Sequence, residues 1–316
     1  MKIYVAGHRG LVGSAIVRAI EADGKHSWIG QSRSALDLLD RKAIFEYLAN
    51  EKPDAIVIAA AKVGGIHANY THPVQFLSEN LQIETNLMDA AHAAGIPRLL
   101  FLGSSCVYPK LAQQPIKEEY LLTGELEKTN EAYALAKISG LKLVQAYRHQ
   151  YGHKWISAMP TNMYGPRDNF DLENSHVLPA LIRKFHDAKV EGKTSVYLWG
   201  TGSPRREFLH SDDLGRACVF LLENYDEDVA INVGVGQDVS ISELAELIQG
   251  VVGYEGEIEW DASKPDGTAR KLLDISRISN LGWRAQISLE EGIRSTYRWY
   301  TDNRAADDVK IQKGRN

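Results

Sequence analysis

Apolar residues in the first half of the chain fall into two alternating patterns. Short dense runs, "KIYVAG", "DAIVIAAA", "RLLFLGSS" and "KWISAMP", have the length and composition of strands buried on both faces. Between them, longer stretches repeat apolar positions at helical spacing. These are "LVGSAIVRAIEADG", closed by Gly24, "AIFEYLANE" before a Pro-marked turn, "PVQFLSENLQIETNLMDAAHAAG" before Ile-Pro, and "EAYALAKISGLKLVQAYRHQYG". Strand and helix in regular alternation predict βαβ units, hence a parallel sheet with helices on both faces.

After Pro160 the rhythm gives way to loop-rich sequence such as "NMYGPRDNF", "WGTGSPRREF" and "ASKPDGTARK". The expected fold class is therefore α/β, a doubly wound parallel sheet of the Rossmann kind with a second, smaller substrate domain. We place the first domain at residues 1–163 and the smaller domain at 164–316. The amphipathic pattern near 211–224, capped by Ser211, Asp212 and Asp213, is expected to pack back on the sheet. No internal repeat or low-complexity segment interrupts the chain, and its last stretch, "DNRAADDVKIQKGRN", is polar enough to fray.

Charge narrows the partners. With 36 basic and 41 acidic residues spread over 316 positions, the net charge is −5, so no basic face for nucleic acid or anionic membrane is expected. No apolar run is long enough to span a bilayer, and a first strand at Lys2 leaves no room for a signal peptide, so a cytoplasmic location is expected. Cys106 and Cys218 are accordingly expected to be free thiols.

"GHRGLVG" sets Gly7, Gly10 and Gly13, with Leu11 and Val12 between them, directly after the first strand and at the start of a helix. Glycines there let the backbone approach a pyrophosphate, whose charge meets the amino end of the helix. The alternative is a purely structural turn. The G-x-x-G-x-x-G spacing resembles the short-chain dehydrogenase/reductase superfamily. At the end of the second strand, where a carboxylate would hold the ribose diol of NAD, this chain has Arg33, and Arg9 lies inside the glycine loop. Two guanidinium groups suit a 2′-phosphate, so the expected cofactor is NADP(H). Either arginine alone reads equally as a solvated surface residue.

"YALAK" puts Tyr133 and Lys137 one helical turn apart on one face, where an ammonium favours the phenolate. Ser104 ends the preceding strand and would bond the same substrate oxygen as Tyr133. Carbonyl reduction needs no thiol, yet "GSSCVYP" places Cys106 two residues beyond Ser104. A thiol of ordinary acidity can exchange a proton with carbon beside a ketone, and His176, between a loop and a helix in "NSHVLPAL", can serve the opposite face. Cys106 also reads as a small buried hydrophobe and His176 as a structural group.

These motifs, with "AAAKVGGI", "MPTNMYGP", "REFLH", "DASKPDGTARKLLD" and "ISLEEGI", make the chain similar to the GDP-L-fucose synthase family, an extended branch of the superfamily, over nearly its whole length. The resemblance implies Ser104, Tyr133 and Lys137 as the reductive set and Cys106 and His176 as the groups that invert C3 and C5. It implies cofactor contacts from Gly7, Arg9, Gly10, Leu11, Val12, Gly13 and Arg33, from Leu102, Gly103 and Ser105, and from Asn162 and Met163. Lys184, Trp199, Arg206 and Asp266 correspond to positions that hold the nucleotide sugar. Lys184 stands where some members have arginine and so keeps the charge without the planar fork. Trp199 reads as well as core packing. A homodimer built on the helices near 73–93 and 130–150 is also implied. The competing readings are a nucleotide-sugar 4-epimerase or 4,6-dehydratase of the same superfamily, or a non-catalytic NADPH-binding scaffold.

Overall fold

A computed structural model describes residues 1–264 and 266–313. In chain order the first half comprises β1 (Lys2–Ala6), α1 (Leu11–Asp23), β2 (Ser27–Ile29), α2 (Arg41–Glu51), β3 (Ala55–Ile58), α3 (Ile66–Thr71), α4 (Asn80–Ala93), β4 (Arg98–Leu102), α5 (Glu131–Tyr151) and β5 (Lys154–Pro160). The second half comprises β6 (Asn162–Tyr164), α6 (Val177–Glu191), β7 (Ser195–Trp199), β8 (Arg205–Arg206), β9 (Phe208–His210), α7 (Ser211–Asn224) and β10 (Ile231–Val233). It continues with β11 (Val239–Ser240), α8 (Ile241–Val252), β12 (Glu257–Asp261), β13 (Arg270–Lys271), α9 (Ser276–Asn280) and α10 (Leu289–Lys313).

Six parallel strands form the main sheet in the order β2-β1-β3-β4-β5-β10. Side chains alternate across it as strand pleating requires. Tyr4, Ile56, Leu99 and Phe101 face a core closed by Ile44, Leu48, Leu87, Met88 and Leu141 of α2, α4 and α5. Ile3, Val5, Val57 and Leu100 face the opposite core, closed by Ile16 and Ile20 of α1 and Leu214, Cys218 and Leu221 of α7. Burial on both faces is why the strands read as continuous apolar runs. A third core joins α6, α8 and α10 through Phe185, Ile248 and Ile293 beneath β7.

The sheet does not end at residue 163. Strand β10 pairs with β5, and α7 lies against α1, so the chain returns to the first layer after entering the second. Glu207 pins this crossing: its buried carboxylate accepts the backbone N–H of Val235 at 2.6 Å, Gly236 at 2.7 Å and Leu273 at 3.0 Å.

The polar carboxyl-terminal stretch departs from the expected fraying. Ile293, Thr296 and Tyr300 are buried and anchor α10, which continues to Lys313 because extending a formed helix costs less than starting one. Residues 314–316 of that stretch lie outside the described residues. Among the described residues no helix is long and apolar enough to cross a membrane. Cys106 and Cys218 are both free and buried.

Candidate active site

Strand order reverses beside β1, with β2 on one side and β3 on the other, and a crevice opens at the carboxyl ends of those strands. Gly7 leaves β1 at φ 87°, a left-handed conformation that favours glycine, and a Cβ there would sit 2.8 Å from the backbone nitrogen of Ala60. Gly10 donates its N–H to the Gly7 carbonyl at 3.0 Å and caps α1, where Leu11 and Val12 begin the first turn. Gly13 packs directly on the Gly7 backbone, leaving no room for a side chain. The adjoining cleft, about 350 Å³, is lined by Gly7, His8, Arg9, Gly10, Gln31, Ser32, Arg33 and Ser34.

No carboxylate lines that cleft, and the side chains of Arg9 and Arg33 are exposed beside it; among the described residues neither forms a salt bridge. A backbone cradle with no room for a Cβ at Gly7 or Gly13, next to two free guanidinium groups, fits a dinucleotide with a 2′-phosphate. His8 is an addition that the glycine spacing does not reveal. Its ring lies 5.6 Å from that of Trp28, and burial, then Arg9 and Arg167, lowers its pKa. Further along the same end of the sheet, Leu102 finishes β4, and the N–H of Gly103 just beyond it donates to the Ala158 carbonyl at 2.8 Å. Asn162 donates its amide to the Glu207 carbonyl at 2.8 Å, and Met163 packs on the α1–α7 core.

Past Gly103 the chain makes a short 3₁₀ turn over Ser105–Val107. Ser104 closes it by accepting the Cys106 N–H at 3.4 Å, while Ser105 is buried within the turn. Tyr133, half-buried on α5, meets Phe76 edge-on at 6.3 Å. Its pKa is raised well above the usual phenol value, chiefly by burial and then by Cys106 and Glu84. This corrects the expectation that Lys137 makes the phenol more acidic. The Lys137 ammonium, 5.9 Å from the Tyr133 ring, is paired with the Glu84 carboxylate of α4 at 3.1 Å, and that acid repels the phenolate.

The thiol also differs from expectation. Cys106 is only 7 % exposed, and burial pushes its pKa up rather than leaving it ordinary. The strongest opposing influence is the ammonium of Lys271, followed by the Ser104 hydroxyl and Lys137. Lys271 reaches the thiol from β13 and was not legible as a site residue, since a two-residue strand has no period to read. Glu84 did leave a trace. It lies on the buried stripe Asn80, Glu84, Leu87, Met88 and Ala91, where an acid is out of place unless paired.

His176 is the N-cap of α6 and is exposed by surface area, and desolvation by the surrounding protein lowers its pKa. Its loop is tied to the β3 side by the Gly65 N–H, which donates to Asn174 at 2.9 Å. A Cβ at Gly64 would come within 3.2 Å of the ring of Phe76, the neighbour of Tyr133. These contacts bring the His176 loop to the same crevice as Tyr133, without a direct bond between His176 and Cys106 among the described residues.

The remaining candidates gather around the end of β7. Trp199 is 72 % exposed, which overturns the core-packing alternative. Lys184 donates to the Tyr197 carbonyl at 3.4 Å, and burial lowers its pKa. Asp266 accepts from the Thr201 N–H at 2.9 Å and hydroxyl at 2.7 Å, fixing the turn after Trp199. The same carboxylate faces Arg206, whose pKa burial lowers and Asp266 raises. Two cations and an exposed indole therefore border one surface.

The chain is similar to known proteins over most of its length. Residues 3–234 match the model of the NAD dependent epimerase/dehydratase family. The chain is 57 % identical over 302 residues to GDP-L-fucose synthase 1 of Arabidopsis thaliana, covering 96 % of this chain and 94 % of that protein. A GDP-L-fucose synthetase of Naegleria fowleri, solved with NADP bound, superposes with TM-score 0.89 at 30 % identity over 96 % of this chain and 93 % of that one. A GDP-6-OMe-4-keto-L-xylo-heptose reductase from C. jejuni superposes with TM-score 0.91 at 35 % identity, covering 96 % and 98 %.

Proposed function

The chain belongs to the NAD dependent epimerase/dehydratase family, among its GDP-L-fucose synthases, and from that premise we propose that it converts GDP-4-keto-6-deoxy-D-mannose to GDP-L-fucose. The reaction combines epimerisation at C3 and C5 with NADPH-dependent reduction at C4. The observation that carries the reading is the convergence of Ser104, Cys106 and Tyr133 on one crevice, in a chain so similar to a plant enzyme of that name.

A ketone at C4 makes the hydrogens on C3 and C5 acidic. The hydroxyls of Ser104 and Tyr133 stabilise the enolate oxygen as negative charge develops there. Cys106 and His176 remove and return protons on opposite faces of the ring. In the resting protein burial keeps the thiol protonated and the imidazole neutral, one donor and one acceptor, and Lys271 draws the thiol toward exchange. Bound in the cradle of Gly7, Gly10 and Gly13 with Arg9 and Arg33 at its 2′-phosphate, NADPH supplies the hydride for C4. Tyr133 gives its phenolic proton to the C4 oxygen, for which a phenol that stays protonated is suited, and the Lys137 ammonium steadies the phenolate. Lys184 and Arg206 hold the diphosphate, Trp199 offers a face to the base, and Asp266 fixes the turn between them. The working unit is a homodimer through the face of α4 and α5, in the cytoplasm.

A C4 reductase that leaves C3 and C5 untouched is the second reading, favoured by the likeness to the heptose reductase. Incubation with GDP-4-keto-6-deoxy-D-mannose and NADPH separates them. We expect NADPH oxidation and a product with the fucose configuration by NMR. A reduced product that keeps the original configuration at C3 and C5 would establish the second reading, and no oxidation would remove both.

A further inference from the structure

Lys137 does not stand alone beneath Tyr133. It is 2 % exposed, its ammonium lies 4.6 Å over the Phe101 ring, and Glu84, 1 % exposed, meets it at 3.1 Å from the neighbouring helix α4. Apart from this ion pair, the Glu84 carboxylate has no hydrogen-bond partner among the described residues. Placing an acid in a core is costly, and a buried pair is weak evidence of stabilisation in itself. The fold nevertheless makes space for it. Gly140, one turn beyond Lys137 on α5, has no side chain, and a Cβ there would lie 2.7 Å from Glu84 Oε2 and collide with the Phe101 ring.

We infer that Glu84 is a positioning residue of the reductive machinery, holding Lys137 against Tyr133 and balancing its charge. The inference rests on the proposed function, because it assigns Glu84 a part in the C4 reduction. Tyr133 is faced by Cys106 from the turn after β4, by Glu84 from α4 and by Lys137 from its own helix, while Lys271 of β13 faces Cys106. Of these, Cys106 and Glu84 oppose ionisation of the phenol. Reduction must begin with Tyr133 carrying its proton. Burial first, then Cys106 and the Glu84 carboxylate, hold the proton there, while the ammonium remains in place to receive the phenolate once the proton has left.

The test is Glu84→Gln, which keeps the shape and removes the charge. The NADPH-dependent kcat is measured from pH 7 to 12, a range that extends above the ordinary phenol pKa, on protein shown by circular dichroism to be folded at each pH. Activity that needs a protonated Tyr133 is lost as pH rises through its pKa. Removing the anion lowers that pKa, so the alkaline limb moves to lower pH by about one unit. We expect kcat to fall roughly 10- to 100-fold, with the substrate KM nearly unchanged and Glu84→Asp restoring the limb. An unmoved limb overturns the inference, whether or not kcat falls, because a merely structural role lowers kcat without shifting it. Should Glu84→Gln fail to fold, Gly140→Ala decides. It displaces the carboxylate without altering any charge and is expected to reproduce the shift, and a wild-type profile there overturns the inference too. If the unsubstituted protein turns over no 4-keto sugar, the function is wrong, whereas normal turnover with an unmoved limb removes only the role of Glu84.

Discussion

Gly13→Ala probes the cofactor cradle at its tightest point. A Cβ at Gly13 would overlap the carbonyl oxygen of Gly7 and lie 2.6 Å from that carbonyl's carbon and 2.9 Å from the Cα of His8, all well inside the 3.4 Å of ordinary contact. The obstacles are all backbone, so the loop and the first turn of α1 must separate. These are the groups proposed to meet the pyrophosphate, and a displacement near 1 Å costs on the order of 100-fold where geometry matters. We therefore expect NADPH affinity to fall roughly 10- to 100-fold, about 1.4 to 2.7 kcal/mol. Gly24→Ala, at the other end of the same helix, is the control. Gly24 has φ 66° with no atom near a Cβ, so alanine there strains the backbone by roughly 1–2 kcal/mol without touching the cleft. Fluorescence titration with NADPH and a thermal melt on each variant separate the two effects. Unchanged affinity in Gly13→Ala, or equal weakening in Gly24→Ala, would refute the cradle.

Arg33→Ala removes the charge-assisted contact proposed to the 2′-phosphate, worth about 1.5–3 kcal/mol, so KM for NADPH is expected to rise about tenfold or more while that for NADH stays put. Equal loss for both cofactors would contradict the assignment of Arg33. Lys271→Met takes away the ammonium that holds the Cys106 pKa down, so the thiol pKa rises and the thiolate fraction at pH 8 falls. Alkylation of Cys106 by iodoacetamide, followed by mass spectrometry, is expected to slow at pH 8 and recover at higher pH. Cys218, fully buried in α7, serves as an internal blank, and an unchanged rate for Cys106 would contradict the contact. Glu207→Gln leaves one acceptor oxygen where two serve Val235, Gly236 and Leu273, and turns an N–H toward a donor. The expected cost is about 2 kcal/mol, seen as a melting point a few degrees lower, and an unchanged melt would contradict the role given to Glu207.

What the chain reveals of itself follows from periodicity. Strands β1, β3, β4 and β5 are buried on both faces and helices α1 and α5 on one, so their apolar patterns are dense and regular. The glycine loop, the Tyr133–Lys137 spacing and the Ser104–Cys106 turn are local, so they too are readable. Two-residue strands such as β8 and β13 leave no pattern, and with them Lys271 was hidden. The pairing of Glu84 with Lys137 depends on how α4 meets α5, which neither helix encodes alone. The acidity of Cys106 and Tyr133 was misjudged for the same reason. Burial and neighbours distant in sequence set both values.

The most direct test of the central claim, that Cys106 and His176 exchange protons at the sugar ring Tyr133 helps reduce, is turnover in deuterium oxide. The GDP-sugar formed from GDP-4-keto-6-deoxy-D-mannose and NADPH is analysed by NMR for label at each ring carbon, for the protein and for Cys106→Ser. Solvent deuterium at both C3 and C5, with Cys106→Ser still reducing some ketone but no longer inverting those centres, is the predicted result. A reduced product free of solvent label at C3 and C5 would contradict it.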